Sequence, residues 1–366
     1  MQTDFTEADF LRAPCLREGP IAKSARNLIS ASRQLGDSPW ATTLRAWCVP
    51  QLFHRQEVAL ALGEEPYAAL NGAMDNMAVM LRAAAASGFA ELISAKSAVG
   101  ASASETGLVE YVTGEHYGRL FETFSAASYW DEPVKLLRDR LERNGISTAT
   151  LGDKEVLDAG CGGGRYTAAW RLLGAKACVG FDYSEIGLQN ARERFKAAGI
   201  TNVTFEQGTV LELPHQKDRF DIVYSNGVLH HSRDWKKGLH EMVRVMKPGG
   251  LGFLYLIENP GGLFWDVTEI LRVVTQHDNR DMARTALRVI GIPANRVFYM
   301  LDHVMAPIND RLTPKEIEDE LAKAGAKEIR RLTRGTDFDR IEAIYQKKPY
   351  AKEHFGVGEN RHVFTK

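Results

Sequence analysis

The chain has 366 residues, 44% hydrophobic and 25% charged, with a formal net charge of −1. It is long for one domain of about 100–200 residues, and its balance gives no general attraction to nucleic acid or anionic membrane, a local basic patch remaining open. Cys15, Cys48, Cys161 and Cys178 form no C-x-x-C pair, which argues against a disulfide framework or zinc site; with no signal-peptide pattern and no run near the ~20 apolar residues of a membrane span, the expectation is a cytoplasmic protein.

Residues 1 to 150 read as helical. "DSPWATTLRAWCV" offers Ser38 as N-cap and Pro39 at the first helical position. "EEPYAALNGAMDNMAVMLRAAAASG" starts at Pro66 and stops at Gly88, with Leu70, Ala73, Met77, Met80 and Leu81 at helical spacing. That Met-rich stripe reads as core or as a dimer face. "SAKSAVGASASETG", Ser94 to Gly107, has linker composition. "GEHYGRLFETF" and "SYWDEP" then gather His116, Tyr117, Arg119, Phe121, Tyr129 and Trp130, as a cover over a site or as inter-domain packing. "DEPVKLLRDRLERNG" places Val134, Leu137 and Leu141 on one helix face and ends at Gly145. The expected organisation is a helical domain over 1–110, a helical lead-in over 111–150 and an α/β domain over 151–366.

From Lys154 apolar strands alternate with amphipathic helices, the pattern of a parallel sheet. The expected strands are Glu155–Asp158, Ala177–Phe181, Val203–Gln207, Phe220–Ser225 and Gly252–Ile257, with "AKEIRRL" and "NRHVFTK" as the last two. "SEIGLQNARERFKAAG" and "DWKKGLHEMVRVMKPGG" are the helices between, the second expected to stop at its Pro-Gly-Gly. "TPKEIEDELAKAG" carries a capping box, Thr313 with Glu316. The stretch 260–311 is aromatic-rich and partly helical, and reads as an insertion that walls a substrate site.

"EVLDAGCGGGRYT" follows a strand and opens a helix, the context that makes a glycine motif informative. A dinucleotide fingerprint would need glycine at the sixth position from Gly160, where Arg165 stands. The alternative spacing, Asp158 followed by Gly160, Gly162 and Gly164, resembles class I S-adenosylmethionine (SAM) methyltransferases. "VGFDYS", "QGTVLELP", "FDIVYSNGVLHH" and "VMKPGG" match that family's later motifs in order. The resemblance implies an α/β, Rossmann-like, seven-stranded sheet, a SAM cofactor leaving as S-adenosylhomocysteine, and no metal.

It also implies site residues. Asp158, Gly160, Gly162 and Gly164 would hold the methionine portion, Asp182 the ribose hydroxyls, and Tyr183, Thr209 and Val210 the adenine. Thr209 departs from the Asp usual in that family, which puts the adenine contact in doubt. Asn226 follows the fourth strand, beside the transferred methyl. His230 and His231 are candidate general bases, because imidazole titrates near neutrality, or structural residues at a helix start. Tyr117 and Tyr129 are the other catalytic candidates. Arg119, Trp130, Tyr299, His303 and Arg311 are substrate-binding candidates, within clusters that include Asp302 and Asn309.

The N-terminal layout, "HYGRLF" and the block from "ENPGG" to "GENRHVFTK" resemble bacterial enzymes that S-methylate 4-methylthio-2-hydroxybutyrate in dimethylsulfoniopropionate synthesis. A thioether needs no deprotonation; its site wants an aromatic surface for the new sulfonium and a basic anchor for a carboxylate. An O- or N-methyltransferase of another small metabolite, using His230 or His231 as base, is the alternative. An RNA or protein methyltransferase is a further one, against which the absence of Lys/Arg runs argues. The expected partners are a small-molecule substrate and a second copy through the N-terminal helices, with no nucleic acid and no membrane.

Overall fold

The computed structural model describes residues 5–88 and 124–366. They fall into two compact units: a helical unit drawn from Met1–Thr106, Gly261–Ala306 and Lys347–Gly356, and an α/β unit drawn from Gly107–Pro260, Pro307–Gln346 and Val357–Lys366. The linker expected at Ser94 to Gly107 lies outside the described residues.

In the helical unit the sequence punctuation operates as expected. Ser38 Oγ accepts from the Ala41 N–H at 3.1 Å, Pro39 begins helix Pro39–Leu62, and Gly63 ends it in the left-handed region at φ 66°. Helix Pro66–Ala86 begins at Pro66, where the Glu65 carboxylate accepts from the Tyr67 and Ala68 N–H groups. Of the expected stripe, Leu70, Met77 and Leu81 are buried, with Met74 beside them, on a helix that packs against helices Ala22–Arg33 and Pro39–Leu62, whereas Ala73 and Met80 are half-buried.

The stretch 260–311 differs from expectation. Its helices Gly262–Val274, Arg280–Val289 and Ala294–Met305 belong to the helical unit, not to the α/β unit. Gly262–Val274 buries Leu263, Phe264, Trp265, Val267, Ile270 and Leu271. A helix apolar on so much of its circumference needs cover on several sides. Phe53 supplies part of it, its ring 5.5 Å from Phe264 and 6.0 Å from Tyr299. Asp278 is gripped by Arg45 through Nε at 2.9 Å and Nη2 at 2.7 Å, and by Thr42 Oγ1 at 2.8 Å.

The α/β unit is built on a seven-stranded sheet in the order β3-β2-β1-β4-β5-β7-β6. The strands are β1 Glu155–Ala159, β2 Ala177–Asp182, β3 Val203–Gln207, β4 Phe220–Asn226, β5 Met246–Leu256, β6 Lys327–Arg331 and β7 Asn360–Thr365. β1 to β5 run parallel, and β7 is antiparallel to both β5 and β6. Helix Trp235–Val245 stops before the expected Pro-Gly-Gly, which lies inside β5.

Strand side chains alternate between faces, and both faces are covered. Leu157, Val223, Leu254 and Phe364 join Leu239, Met242, Ile317 and Leu321 on one side. Val156, Tyr224, Phe253 and Val363 join Leu137, Leu141 and Trp170 on the other. Burying a residue such as Phe253 or Phe364 stabilises the fold by about 1.5–3 kcal/mol. The strand order reverses direction between β1 and β4, and ligands of open α/β sheets bind outside the carboxyl ends of strands at such a point.

Candidate functional site

The loop after β1 turns through three glycines in the left-handed region, Gly160 at φ 87°, Gly162 at φ 53° and Gly164 at φ 80°. A side chain is strained there. The chain's own packing adds to that requirement: a Cβ on Gly160 would stand 2.3 Å from Val228, and one on Gly164 2.9 Å from Phe205. The turn delivers the chain into helix Arg165–Leu172 with Gly164 as N-cap. The first-turn N–H groups of a helix have no intrahelical partner and form an anion-favouring end.

Two carboxylates flank the loop. Asp158, near the end of β1, is buried and accepts from Thr167 Oγ1 at 2.6 Å. Burial pushes its carboxyl up to about 7, against the Thr167 hydrogen bond and with help from the Asp182 charge. Asp182, at the end of β2, accepts from the Gly162 N–H through Oδ2 at 2.8 Å and from the Ser184 N–H through Oδ1 at 2.9 Å. Its carboxyl is also raised by burial, which those backbone hydrogen bonds oppose. Asp182 therefore braces the glycine loop and the start of helix Glu185–Ala197, and each oxygen keeps acceptor capacity for a ligand hydroxyl. Both readings of this acid, ligand and local brace, fit one geometry.

At the end of β4, Asn226 has its Oδ1 buried with no hydrogen-bond partner among the described residues. An acceptor left so is expected to meet a ligand or water. Tyr183 is half-buried beyond Asp182. Thr209 turns its Oγ1 to the Leu211 N–H at 3.2 Å, and Val210 packs on the core.

His230 and His231 are buried and wired to each other. The Ile257 N–H donates to His230 Nδ1 at 3.2 Å, and His231 Nδ1 lies 2.7 Å from the Ile308 carbonyl, which only accepts. These end groups assign the tautomers: His230 carries its proton on Nε2 and donates it across 3.1 Å to His231 Nε2. The two rings thus form one hydrogen-bonded chain from the Ile257 amide to the Ile308 carbonyl. In this state neither ring offers an uncommitted lone pair to a substrate proton.

The remaining candidates separate. Tyr129 is fully buried; its hydroxyl donates to the Gly163 carbonyl, and the Arg194 guanidinium lies 4.5 Å from its ring centre. It holds the glycine loop from behind, and its cation-accepting face serves Arg194. Trp130 packs on Tyr129 at 4.5 Å and Phe195 at 5.3 Å. Tyr299 and His303 belong to the helical unit, where His303 Nδ1 lies 2.7 Å from the Tyr299 carbonyl and its ring 5.2 Å from Trp265. Arg311 is half-buried in the α/β unit, beside the bridge between Glu258 and Leu312. His116, Tyr117, Arg119 and Phe121 lie outside the described residues. Arg165, at the sixth position from Gly160, turns its side chain to Glu132 at 2.7 Å and to the Phe124 ring at 4.5 Å.

Sequence reasoning missed a buried polar network beside the end of the sheet. Arg140 binds Asp339 through Nε and Nη2, both at 2.8 Å, and gives Nη1 to the Tyr166 hydroxyl at 2.7 Å. Arg361 on β7 reaches Asp339 at 3.1 Å, and Arg340 holds Glu258 at 2.9 Å. Burial pushes the Asp339 carboxyl up, but the Arg140 and Arg361 charges outweigh it and hold the group far below the usual carboxylate range. The available signal was an arginine at an inward position of the strand "NRHVFTK".

Residues 152–263 match the family described as "Methyltransferase domain". This stretch is a class I, SAM-dependent methyltransferase domain. A 27-O-demethylrifamycin SV methyltransferase of Amycolatopsis mediterranei is 32% identical over 156 residues, 40% of this chain and 56% of the relative. The uncharacterized methyltransferase YcgJ of Bacillus subtilis is 33% identical over 139 residues, 37% of this chain and 54% of the relative. A demethylmenaquinone methyltransferase of Listeria welshimeri is 38% identical over 101 residues, 26% of this chain and 41% of the relative. The chain spans about half the length of the curated relatives it matches. Among the described residues, no helix of the methyltransferase domain or of the rest of the chain is long and apolar enough to cross a membrane.

Proposed function

We propose that this protein transfers a methyl group from SAM to a small, carboxylate-bearing metabolite. The observation that carries the reading is the turn after β1, where three left-handed glycines, a helix N-terminus and the Asp158–Asp182 pair converge. SAM, when bound, supplies an electrophilic methyl on a sulfonium. Asp182 offers its remaining acceptor positions to two vicinal hydroxyls, Asp158 a carboxylate to an ammonium, and Asn226 Oδ1 an acceptor at the end of β4. Such residues act by holding two reactants in line and excluding water, the source of most of the acceleration available without a base.

The specific acceptor we propose is the thioether of 4-methylthio-2-hydroxybutyrate, the S-methylation step of dimethylsulfoniopropionate synthesis. Its support is the resemblance described above together with the committed His230–His231 chain, since a thioether has no proton to lose. The test has two parts. Calorimetry with S-adenosylhomocysteine reads the cofactor site, and transfer of isotope-labelled methyl from SAM to 4-methylthio-2-hydroxybutyrate reads the acceptor. Absence of S-adenosylhomocysteine binding would sink the methyltransferase reading, whereas binding without transfer would sink only this acceptor. Methylation of an oxygen is the second reading, favoured by the "27-O" in the name of one relative. A homodimer through the N-terminal helices is also proposed, on the exposed Leu62 and Val79, and sedimentation reads it.

A further inference from the structure

Asn226 on β4 is in register with Tyr255 on β5, and Tyr255 with Arg361 on β7. Two residues back, Tyr224, Phe253 and Val363 are likewise in register, and all three lie in the core on one face of the sheet. Side chains two apart on a strand share a face. Asn226, Tyr255 and Arg361 therefore make a polar row at the carboxyl end of an otherwise apolar face, running outward from the switch point.

The row is rich in uncommitted donors. Arg361 is 5% exposed, and its Nη2 donates to Asp339 at 3.1 Å. Its Nε and Nη1 have no hydrogen-bond partner among the described residues; Nη1 stands in an ion pair 3.6 Å from the Glu359 carboxylate, beyond hydrogen-bond reach, and the guanidinium lies 5.0 Å from the Tyr255 ring centre. The Tyr224 hydroxyl, fully buried on the same face, is also without a partner. Arg140 shows what a purely structural arginine does here: it takes Asp339 through two bonds and spends a third nitrogen on Tyr166. Asp339 thus has a bidentate partner before Arg361 is counted. Glu359 is shared with two backbone donors, accepting from the Arg340 and Ile341 N–H groups at 2.9 and 2.8 Å, one on each oxygen. Buried donors of this kind are normally satisfied, and a planar guanidinium edge matches a carboxylate.

We propose that Arg361, assisted by the Tyr224 hydroxyl, anchors the carboxylate of the methyl acceptor. The inference rests on the methyltransferase reading for the identity of the ligand, and names the residue that selects it. Two strand spacings of about 4.8 Å separate the Cα atoms of Asn226 and Arg361 by ~10 Å. That span suits a short acid whose nucleophile lies a few bonds from its carboxylate, with the reacting atom beside Asn226. The anchor excludes uncharged analogues, because an amide would set its own N–H groups against these donors.

Titration calorimetry with S-adenosylhomocysteine present tests this, using 4-methylthio-2-hydroxybutyrate, 2-hydroxybutyrate and the primary amide of each. Both acids are expected to bind the wild type, and the amides at least tenfold more weakly. Arg361→Lys keeps a charge near Asp339 but loses the planar fork, and Arg361→Met loses both. Each is expected to weaken acid binding at least tenfold while S-adenosylhomocysteine affinity stays within twofold. Acids and amides binding alike, acids binding the variants as well as the wild type, or no acid binding the wild type would each overturn the anchor. S-adenosylhomocysteine binding is read first in each protein. Its loss from the wild type removes the methyltransferase reading, and its loss from Arg361→Met alone marks misfolding and leaves Arg361→Lys and the acid–amide comparison to decide. Binding of 2-hydroxybutyrate without methyl transfer to the thioether would keep the anchor and remove only the proposed acceptor.

Discussion

Burial raises the Asp158 carboxyl to about 7, while the same group in the unfolded chain titrates near the ordinary aspartate value of 3.8. Between those values the folded state keeps a proton that the unfolded state has lost. Folding stability from this group therefore falls as pH rises from about 4 to about 7, and levels off above. A bound ammonium favours the carboxylate form, so cofactor affinity runs the other way. S-adenosylhomocysteine is expected to bind roughly five- to tenfold more tightly at pH 7.5 than at pH 6, with protons released on binding. Calorimetry in two buffers of different ionisation enthalpy reads both effects, and Asp158→Asn should remove the proton release. Asp182 makes a different prediction, because it holds the Gly162 and Ser184 N–H groups besides any ligand. Asp182→Ala should weaken S-adenosylhomocysteine by at least about 1.5 kcal/mol, the scale of a hydrogen bond to a charged group. Near-wild-type affinity in that variant would remove the cofactor from this loop.

The elements around the site differ in how far the sequence discloses them. β1, β2 and β4 were legible because strands covered on both faces read as apolar runs, and helix starts were legible because caps act within four residues, as at Ser38 and Thr313. The Arg140–Asp339 contact spans 199 positions, and no local pattern carries it. Tyr129 was legible as a buried aromatic before the fold, but not as the donor to Gly163, since that depends on where the glycine turn points its carbonyl. The adjacent histidines were ambiguous for a similar reason: Ile257 and Ile308, which set their tautomers, are distant in sequence. Their chain can be tested. His231→Ala takes the ring nitrogens away from the Ile308 carbonyl and from His230, and is expected to cost about 1–3 kcal/mol in unfolding free energy. If no proton is abstracted, the single-turnover rate with SAM and acceptor both saturating should stay nearly flat from about pH 6 to 9, and His231→Gln should slow it less than ~10-fold. A general base would cost roughly 10²–10⁴-fold. A steep acid limb that vanishes in either histidine variant would exclude the thioether acceptor.

At the scale of the whole molecule, the chain leaves the α/β unit after Pro260 and rejoins it at Pro307, and repeats the excursion over Lys347–Gly356. Each excursion supplies the helical unit with parts that residues 1–88 lack. The clearest joint is Arg45 with Asp278, side chains 8% and 1% exposed. A buried pair of this kind adds little net stability over an apolar pair of equal volume, because desolvating both charges offsets their attraction. Removing one partner is different, since it strands the other charge. Arg45→Met should therefore destabilise the helical unit by about 3–5 kcal/mol, and Arg45→Met with Asp278→Leu should recover most of that loss. The location of the effect matters as much as its size, because a two-unit chain need not unfold in one step. Hydrogen exchange read by mass spectrometry should show faster exchange in helices Pro39–Leu62 and Gly262–Val274 of the single variant. Peptides from β1, β2 and β4 should keep wild-type protection, and S-adenosylhomocysteine should bind unchanged. Equal loss of protection in those strands would show that the two units unfold together, and that the Arg45–Asp278 joint supports the cofactor site as well as its own helices.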